Sequence, residues 1–278
     1  MIRNPSPFAI NTYSYTLTHS ASNCLLSLME RGYREFELMM YPNHLWPADT
    51  GPSARQKLRQ LVESNGLRVA TLNMPNIDLN VAAAAAEMRA YTMANLRAVL
   101  ELAGDLGVAG VVIGPGKANP LMPAPTERLM GYFYAALDEL VPLAEKYGTS
   151  LYVENMPFAF LPGIEALMAA LDGYGNDHIG IVYDVANGHF INEDVCAALR
   201  ACRQRLKVIH LSDTSQKVYR HDPVGLGTVD FAPIPAVLAE VGFTGRLILE
   251  IISANAEADR DIDQSAVKLE QIGWGRTG

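Results

Sequence analysis

Short apolar runs alternate with longer amphipathic stretches along the whole chain. The short runs are rich in β-branched residues, which is typical of strands buried in a parallel sheet. The longer stretches repeat apolar residues at helical spacing. We predict strands at residues 8–12, 35–39, 68–72, 110–113, 150–154, 180–184, 207–211 and 247–251. The predicted helices lie near residues 20–31, 53–65, 84–106, 126–147, 163–171, 192–201, 234–241 and 259–272.

Glycines mark the ends of several predicted helices. Gly66, Gly107, Gly148 and Gly242 each follow a helix and precede a strand, where glycine suits a left-handed helix cap. Eight successive strand–helix units in 278 residues predict a single-domain (β/α)₈ TIM barrel that covers residues 1–278. A doubly wound sheet is the alternative, but it would normally carry a glycine-rich turn after the first strand, where this chain has residues 13–16, Tyr-Ser-Tyr-Thr.

Four consecutive predicted strands end in a side chain that can bind a metal. They carry Glu154, Asp184, His210 and Glu250. Burying such groups is costly unless they are paired, and the ends of neighbouring barrel strands can converge because adjacent strands lie about 4.8 Å apart. The alternative is four unrelated buried polar groups, each with its own hydrogen bonds. We predict one shared divalent cation: this oxygen-rich set favours Mg²⁺ or Mn²⁺, and the imidazole also admits Co²⁺, Fe²⁺ or Zn²⁺.

The overall charge narrows the choice of partners. A formal net charge of −8 and a pI near 5.3 argue against a nucleic-acid or membrane-surface binder. No apolar segment is long enough for a membrane helix, and the N-terminal region shows no basic-then-apolar leader. Three cysteines without metal-site spacing indicate free thiols in a reducing compartment. We therefore expect a cytoplasmic protein with a small-molecule substrate, and we leave open a homo-oligomer.

Several short motifs resemble one family over most of the chain. The chain is similar to the xylose-isomerase-like TIM-barrel superfamily, a group of sugar isomerases and epimerases that also includes endonuclease IV. The motifs that carry the resemblance are Val153-Glu154-Asn155, Tyr183-Asp184, residues 209–213 (Ile-His-Leu-Ser-Asp), residues 220–227 (Arg-His-Asp-Pro-Val-Gly-Leu-Gly) and Leu249-Glu250.

The resemblance implies a function and roles for the four residues. It implies that Glu154, Asp184, His210 and Glu250 bind the metal, and that Glu154 and Glu250 also act as an acid–base pair. The implied enzyme is a metal-dependent isomerase or epimerase of a sugar or a polyol-like keto compound. It would remove a proton next to a carbonyl through a metal-stabilised enediolate. The alternative within the superfamily is a lyase that resembles inosose or 3-dehydroshikimate dehydratases. A repair nuclease and a barrel that binds a ligand without turnover are the other readings.

The chain departs from the family pattern at informative places. Asn187 stands where many epimerases of the group have a histidine, and Phe160 stands where they have a glutamate, so the sugar-contacting set is incomplete. The third strand ends in Asn73 and the fourth is followed by Pro115, without the histidines of a trinuclear nuclease. The fifth loop is apolar, because it carries Met156, Phe158 and Phe160. This composition indicates a substrate less hydroxylated than a free hexose, such as a cyclic keto acid or a glycone with an aromatic group.

Other polar residues near the predicted strand ends are candidates for substrate contact. They include Asn187, His189, Arg220, His221 and His44. For His44 and His189 the alternative is a role in anchoring loops, and for Arg220 it is a surface salt bridge. His221 lies in a glycine-rich loop that could bring it over the site. Glu37 ends the second strand at the same rim, where a structural hydrogen-bonding role and a functional one are both open.

Overall fold

The predicted closed barrel is confirmed. The structure is a computed structural model that describes residues 6–74, 78–253 and 257–275. Eight parallel strands pair in chain order, and β1 pairs with β8 to close the barrel. The strands are β1 Ala9–Asn11, β2 Glu35–Met39, β3 Arg68–Asn73, β4 Gly110–Ile113, β5 Ser150–Glu154, β6 Gly180–Asp184, β7 Leu206–Leu211 and β8 Arg246–Leu249.

Helices pack around the outside of the barrel. In the described ranges they are α1 Ala21–Glu30, α2 Pro52–Ser64, α3 Ala86–Leu106, α4 Thr126–Tyr147, α5 Ile164–Tyr174, α6 Val185–Phe190, α7 Val195–Ala201, α8 Ile234–Glu240 and α9 Ala258–Gln271. Their apolar faces and the outward-facing strand residues form one large buried core. None of these helices combines the length and the apolar character that crossing a bilayer requires.

Alternation along the strands decides which residues face the barrel axis. Val182, Val208 and Ile248 belong to a small apolar cluster that is separate from the core beneath the helices. Because side chains of a strand alternate between its two faces, the residues two positions further on point to the same side. Those residues are Asp184, His210 and Glu250. The sequence pattern therefore places these polar side chains on the inner face at the ends of their strands.

An aromatic ring fills part of the barrel interior below this level. Tyr152 lies between two strand glycines. A Cβ atom added at Gly110 would lie 2.2 Å from the ring of Tyr152, and one added at Gly180 would lie 2.6 Å from it. Glycine is therefore required at both positions by the close approach of the ring.

One strand boundary and one additional helix differ from the prediction in ways that affect the site. Strand β8 ends at Leu249, so Glu250 directly follows it. Helix α6 begins directly after β6 and was missing from the predicted elements. The Asp184 carboxylate caps α6 by accepting a hydrogen bond from the backbone N–H of Asn187 at 2.6 Å. Aspartate is a preferred N-cap, and this local bond starts a helix too short to show its own periodicity.

Candidate metal centre

The four predicted ligands converge at the mouth of the barrel. Glu154, Asp184, His210 and Glu250 are all buried, and each offers a ligand atom within 4.8 Å of the others. Strand pairing sets Asp184 directly beside His210 across β6 and β7. Consecutive strands and a shared inner face thus bring the four side chains to one point.

The ring of His210 lies among the carboxylates. Its Nδ1 atom lies 3.0 Å from Glu154 Oε1, 3.2 Å from Glu250 Oε2 and 3.8 Å from Asp184 Oδ2. On the other side of the ring, Nε2 lies 3.0 Å from Glu37 Oε1, as an ion-pair contact rather than an aligned hydrogen bond. Although burial favours the neutral ring, these carboxylates raise the pKa of His210 well above its ordinary value.

Glu37 is the centre of a buried hydrogen-bond network that holds this ring. Its carboxylate accepts hydrogen bonds from Asn11 at 2.6 Å, Thr71 at 2.7 Å and Asn73 at 3.1 Å. Burial acts to raise the pKa of Glu37, but His210, Thr71 and Asn73 hold it below its usual value. A carboxylate beside the far nitrogen of a metal-binding histidine orients the ring and increases its basicity. Glu37 is thus placed to support the ligand set from behind.

The site has the character of a cation-binding site. Asp184 Oδ2 and Glu250 Oε2 are buried and have no hydrogen-bond partner among the residues that the structure describes. Burial raises the pKa of Asp184 to about 7, and the Glu250 carboxylate adds to this shift. Burial also raises the pKa values of Glu154 and Glu250, each of which lies near further carboxylates. A divalent cation would supply both the missing contacts and the missing positive charge, so these residues fit a metal.

Asn155 fixes the backbone around Asp184. Its side-chain oxygen accepts a hydrogen bond from the Asp184 N–H at 2.7 Å, and its amide donates to the Asp184 carbonyl at 3.0 Å. The Asn155 carbonyl in turn accepts a hydrogen bond from the Asn187 side-chain amide at 2.8 Å. Because this bond uses the amide nitrogen of Asn187, its oxygen is directed towards Tyr219.

A ladder of hydrogen bonds then runs from Asn187 to His221. Tyr219 donates its hydroxyl proton to Asn187 Oδ1 at 2.7 Å, and its oxygen lies 2.9 Å from His221 Nε2. Since the tyrosine proton is already used, His221 Nε2 carries the proton of that contact. Its Nδ1 atom then accepts a hydrogen bond from the Ser212 hydroxyl at 2.9 Å. The same atom lies 3.5 Å from Glu250 Oε2. The ladder therefore fixes the tautomer of His221 beside the four ligands.

A cavity of about 370 Å³ opens above the ligands. Its size lies within the range of small-molecule sites. Two of the ligands and two of the predicted substrate contacts line it, namely Glu154, Glu250, Asn187 and His221. The other residues around it are Tyr13, Met39, Asn73, Met74, Lys117, Met156, Pro157, Phe158, Ala159, Tyr219 and Ile252.

The remaining predicted contacts have other partners. His44 is buried and contacts Thr12 Oγ1 at 2.9 Å and the His19 carbonyl at 2.7 Å, so it joins two loops. His189 lies 2.8 Å from the Thr228 hydroxyl. Arg220 has a side chain that is 65% exposed and lies 4.0 Å from Asp222. None of these three side chains is among the described residues that line the cavity.

Sequence reasoning left two contributors without an assigned role. Glu37 showed the same signal as the four ligands, an acid at a strand end, but the sequence did not tell its supporting position from a ligand position. Tyr219 carried no signal, because its role depends on the path of the loop after β7. Asp213 holds that loop by accepting hydrogen bonds from backbone N–H groups, including that of Gly225 at 2.8 Å and that of Val229 at 3.0 Å.

Comparisons with known proteins agree with the barrel fold. The sequence model of a family described as xylose isomerase-like TIM barrel matches residues 27–272. An uncharacterized protein of Methanocaldococcus jannaschii is 23% identical over 84% of this chain and 80% of its own length. The L-ribulose-5-phosphate 3-epimerase UlaE of Salmonella paratyphi C is 25% identical over 61% of this chain, and the match spans 59% of that enzyme's length. A solved D-tagatose 3-epimerase-like protein superposes with a TM-score of 0.82 at 21% identity over 96% of both chains.

Proposed function

Since the chain belongs to the xylose isomerase-like TIM barrel family, we propose that it is a divalent-metal-dependent isomerase or epimerase. Its substrate is a sugar or a polyol-like keto compound. The similarity to an L-ribulose-5-phosphate 3-epimerase and to a D-tagatose 3-epimerase-like structure supports this class of reaction.

One observation carries the proposal. Four residues offer ligand atoms within 4.8 Å of one another, and two of these residues line the cavity. Within the described ranges, two of their carboxylate oxygens lack a hydrogen-bond partner. A bound divalent cation would polarise a substrate carbonyl and acidify the adjacent C–H bond. The cavity above the ligands gives a small molecule access to that point.

Two carboxylates are the proposed carriers of the proton. Glu154 and Glu250 both line the cavity, and they come from β5 and from the end of β8. We assign them as the base that removes the proton next to the carbonyl and the acid that returns one. Return of the proton to the opposite face of the same carbon gives epimerisation, and return to the neighbouring carbon gives a ketose–aldose shift.

Exchange of solvent deuterium into a ketose tests these roles. Glu154→Gln and Glu250→Gln should each abolish the exchange that the wild-type protein catalyses with added Mn²⁺. Both residues are also assigned as ligands, so each variant is assayed at a Mn²⁺ concentration that saturates its metal site. The amount of bound manganese is measured in each variant. Glu240→Gln, on the exposed outer surface where Glu240 pairs with Arg200, should exchange like the wild type.

The results separate the alternatives. Wild-type exchange by either manganese-loaded variant contradicts the acid–base assignment of that residue. A rise in absorbance from a conjugated product, without epimer formation, would assign the lyase reaction instead. Absence of exchange in the wild type over a panel of ketoses and ketose phosphates would count against the isomerase class.

A further inference from the structure

The solvent side of the cavity differs in chemistry from its floor. Phe158 and Ile252 line it while remaining 62% and 36% exposed. Three methionines line the same cavity, Met39, Met74 and Met156. The cavity thus has a polar floor and largely apolar walls.

Phe158 is exposed but is held in place by other rings. Its ring meets Tyr219 edge to face, with centroids 5.4 Å apart and an interplanar angle of 89°. Phe190 lies 6.1 Å from Phe158 and 5.2 Å from Tyr219. The loop that carries Phe158 is tied to the loop after β4, where the Phe160 N–H donates to the Gly116 carbonyl at 3.0 Å. An aromatic surface is therefore presented to the cavity in a fixed orientation.

Three of the polar residues that line the cavity are engaged with one another, while Tyr13, Asn73 and Lys117 also line it. Asn187, Tyr219 and His221 bond to one another in the ladder described above. A sugar hydroxyl placed against the methionine and phenylalanine walls would lose water without gaining a partner, which is unfavourable. A substrate with hydroxyls on every side therefore matches the floor but not the walls.

We propose that Phe158 and the three methionines form a subsite for an aromatic substituent of the substrate. Aromatic rings prefer edge-to-face or offset contacts with other rings, and methionine sulfur makes favourable contacts with ring edges. The substrate is then a sugar-like keto compound that carries an aryl group, with its carbonyl end at the metal ligands and its ring against Phe158. This inference rests on the proposed function, because it uses the same cavity.

Two glycosides that differ only in the aglycone test the subsite. Phenyl and methyl β-D-glucopyranoside are titrated into the manganese-loaded protein by calorimetry. We expect the phenyl compound to bind about tenfold more tightly, which is a contribution of the size of an aromatic contact. Phe158→Ala should remove most of that preference and Phe158→Trp should keep it. Leu121→Ala, which removes a side chain that is 93% exposed and outside the cavity lining, should leave the preference unchanged.

Several results would overturn the subsite. These are equal affinities for the two glycosides, no measurable binding of either, or a Phe158→Ala variant that keeps its thermal stability and the full preference. Sedimentation velocity tests whether a second copy of the chain, rather than a substrate group, covers Phe158. A wild-type dimer that Phe158→Ala converts to a monomer would mean that a second copy of the chain covers the ring.

The subsite and the proposed function fail in different measurements. Deuterium exchange into unsubstituted ketoses without a phenyl preference refutes the subsite alone. A phenyl preference in a protein that catalyses no exchange refutes the isomerase proposal and keeps the aromatic subsite.

Discussion

Replacement of Glu37 by glutamine tests whether the residue behind His210 tunes the metal centre. The change removes a charge that lies 3.0 Å from His210 Nε2 but nearly preserves the shape of the side chain. The glutamine oxygen can still accept from Asn11 and Asn73, whose amides contact Oε1 in the wild type. The new amide nitrogen then faces the Thr71 hydroxyl, which can rotate to accept a hydrogen bond. The network therefore allows the substitution without loss of the fold.

The expected effect is a specific loss of metal affinity. Removal of a group that supports a metal-binding histidine typically lowers affinity about 10- to 100-fold. This range corresponds to about 1.4 to 2.8 kcal/mol of binding free energy. Competition between the EDTA-stripped protein and a fluorescent chelator measures the Kd for Mn²⁺ and Zn²⁺.

Glu35→Gln is the matched control on the same strand. Glu35 lies at the other end of β2 from the metal ligands, where it pairs with Arg68 at 3.3 Å and Arg246 at 3.1 Å. Glu35→Gln should change the free energy of unfolding only slightly and leave the Kd for the metal unchanged. If Glu37→Gln also binds metal within twofold of the wild type, the proposed support of His210 is refuted.

Three further measurements test the site and the fold. Mn²⁺ at 100 times its Kd should stabilise the metal-stripped protein by about 2.7 kcal/mol and therefore raise its thermal midpoint. If Asp184→Asn shows the same rise in midpoint as the wild type, Asp184 is not a ligand. In the native protein a thiol reagent should label Cys196 quickly, because the other two cysteines are buried; rapid labelling of all three would contradict the packing. Gly110→Ala should destabilise the protein by about 1 to 3 kcal/mol in urea melts, because the added Cβ would overlap the ring of Tyr152. Gly131→Ala, within helix α4 and with no atom within 4 Å of the added Cβ, should be neutral or stabilising, and an equal loss in both would remove the steric explanation.

The strands and the convergence of the four ligands could be predicted from the sequence, because both follow from local patterns. Runs of β-branched residues marked the buried strands, and a single acid or imidazole at the end of a run marked the rim. Alternation then fixed which face each side chain occupies. The order of the strands followed from eight regular strand–helix repeats without a glycine-rich turn after the first strand, a pattern that favours a barrel.

The features that the sequence did not predict either leave no periodic signal or depend on contacts between residues that are distant in sequence. Helix α6 begins with a capping bond that the Asp184 carboxylate accepts from the Asn187 N–H, and a helix this short has no periodic signal. The position of Tyr219 depends on the course of the loop that Asp213 holds. The sequence places His44 in an aromatic loop, but only its contacts with Thr12 and His19 in the structure reveal that it joins two loops. Sequence patterns report which face a residue occupies, but not which distant group it meets there.

The origin of the fourth ligand has a consequence for how the protein matures. Glu250 follows β8, the strand that pairs with β1 and seals the cylinder, whereas Glu154 belongs to β5. During synthesis a nascent chain exposes three of the four donors before the last one emerges. The proposed cation site should therefore reach full affinity only after β8 has paired with β1, and a bound cation should then stabilise the closed barrel. A chain that stops before Glu250 should lack this stabilisation.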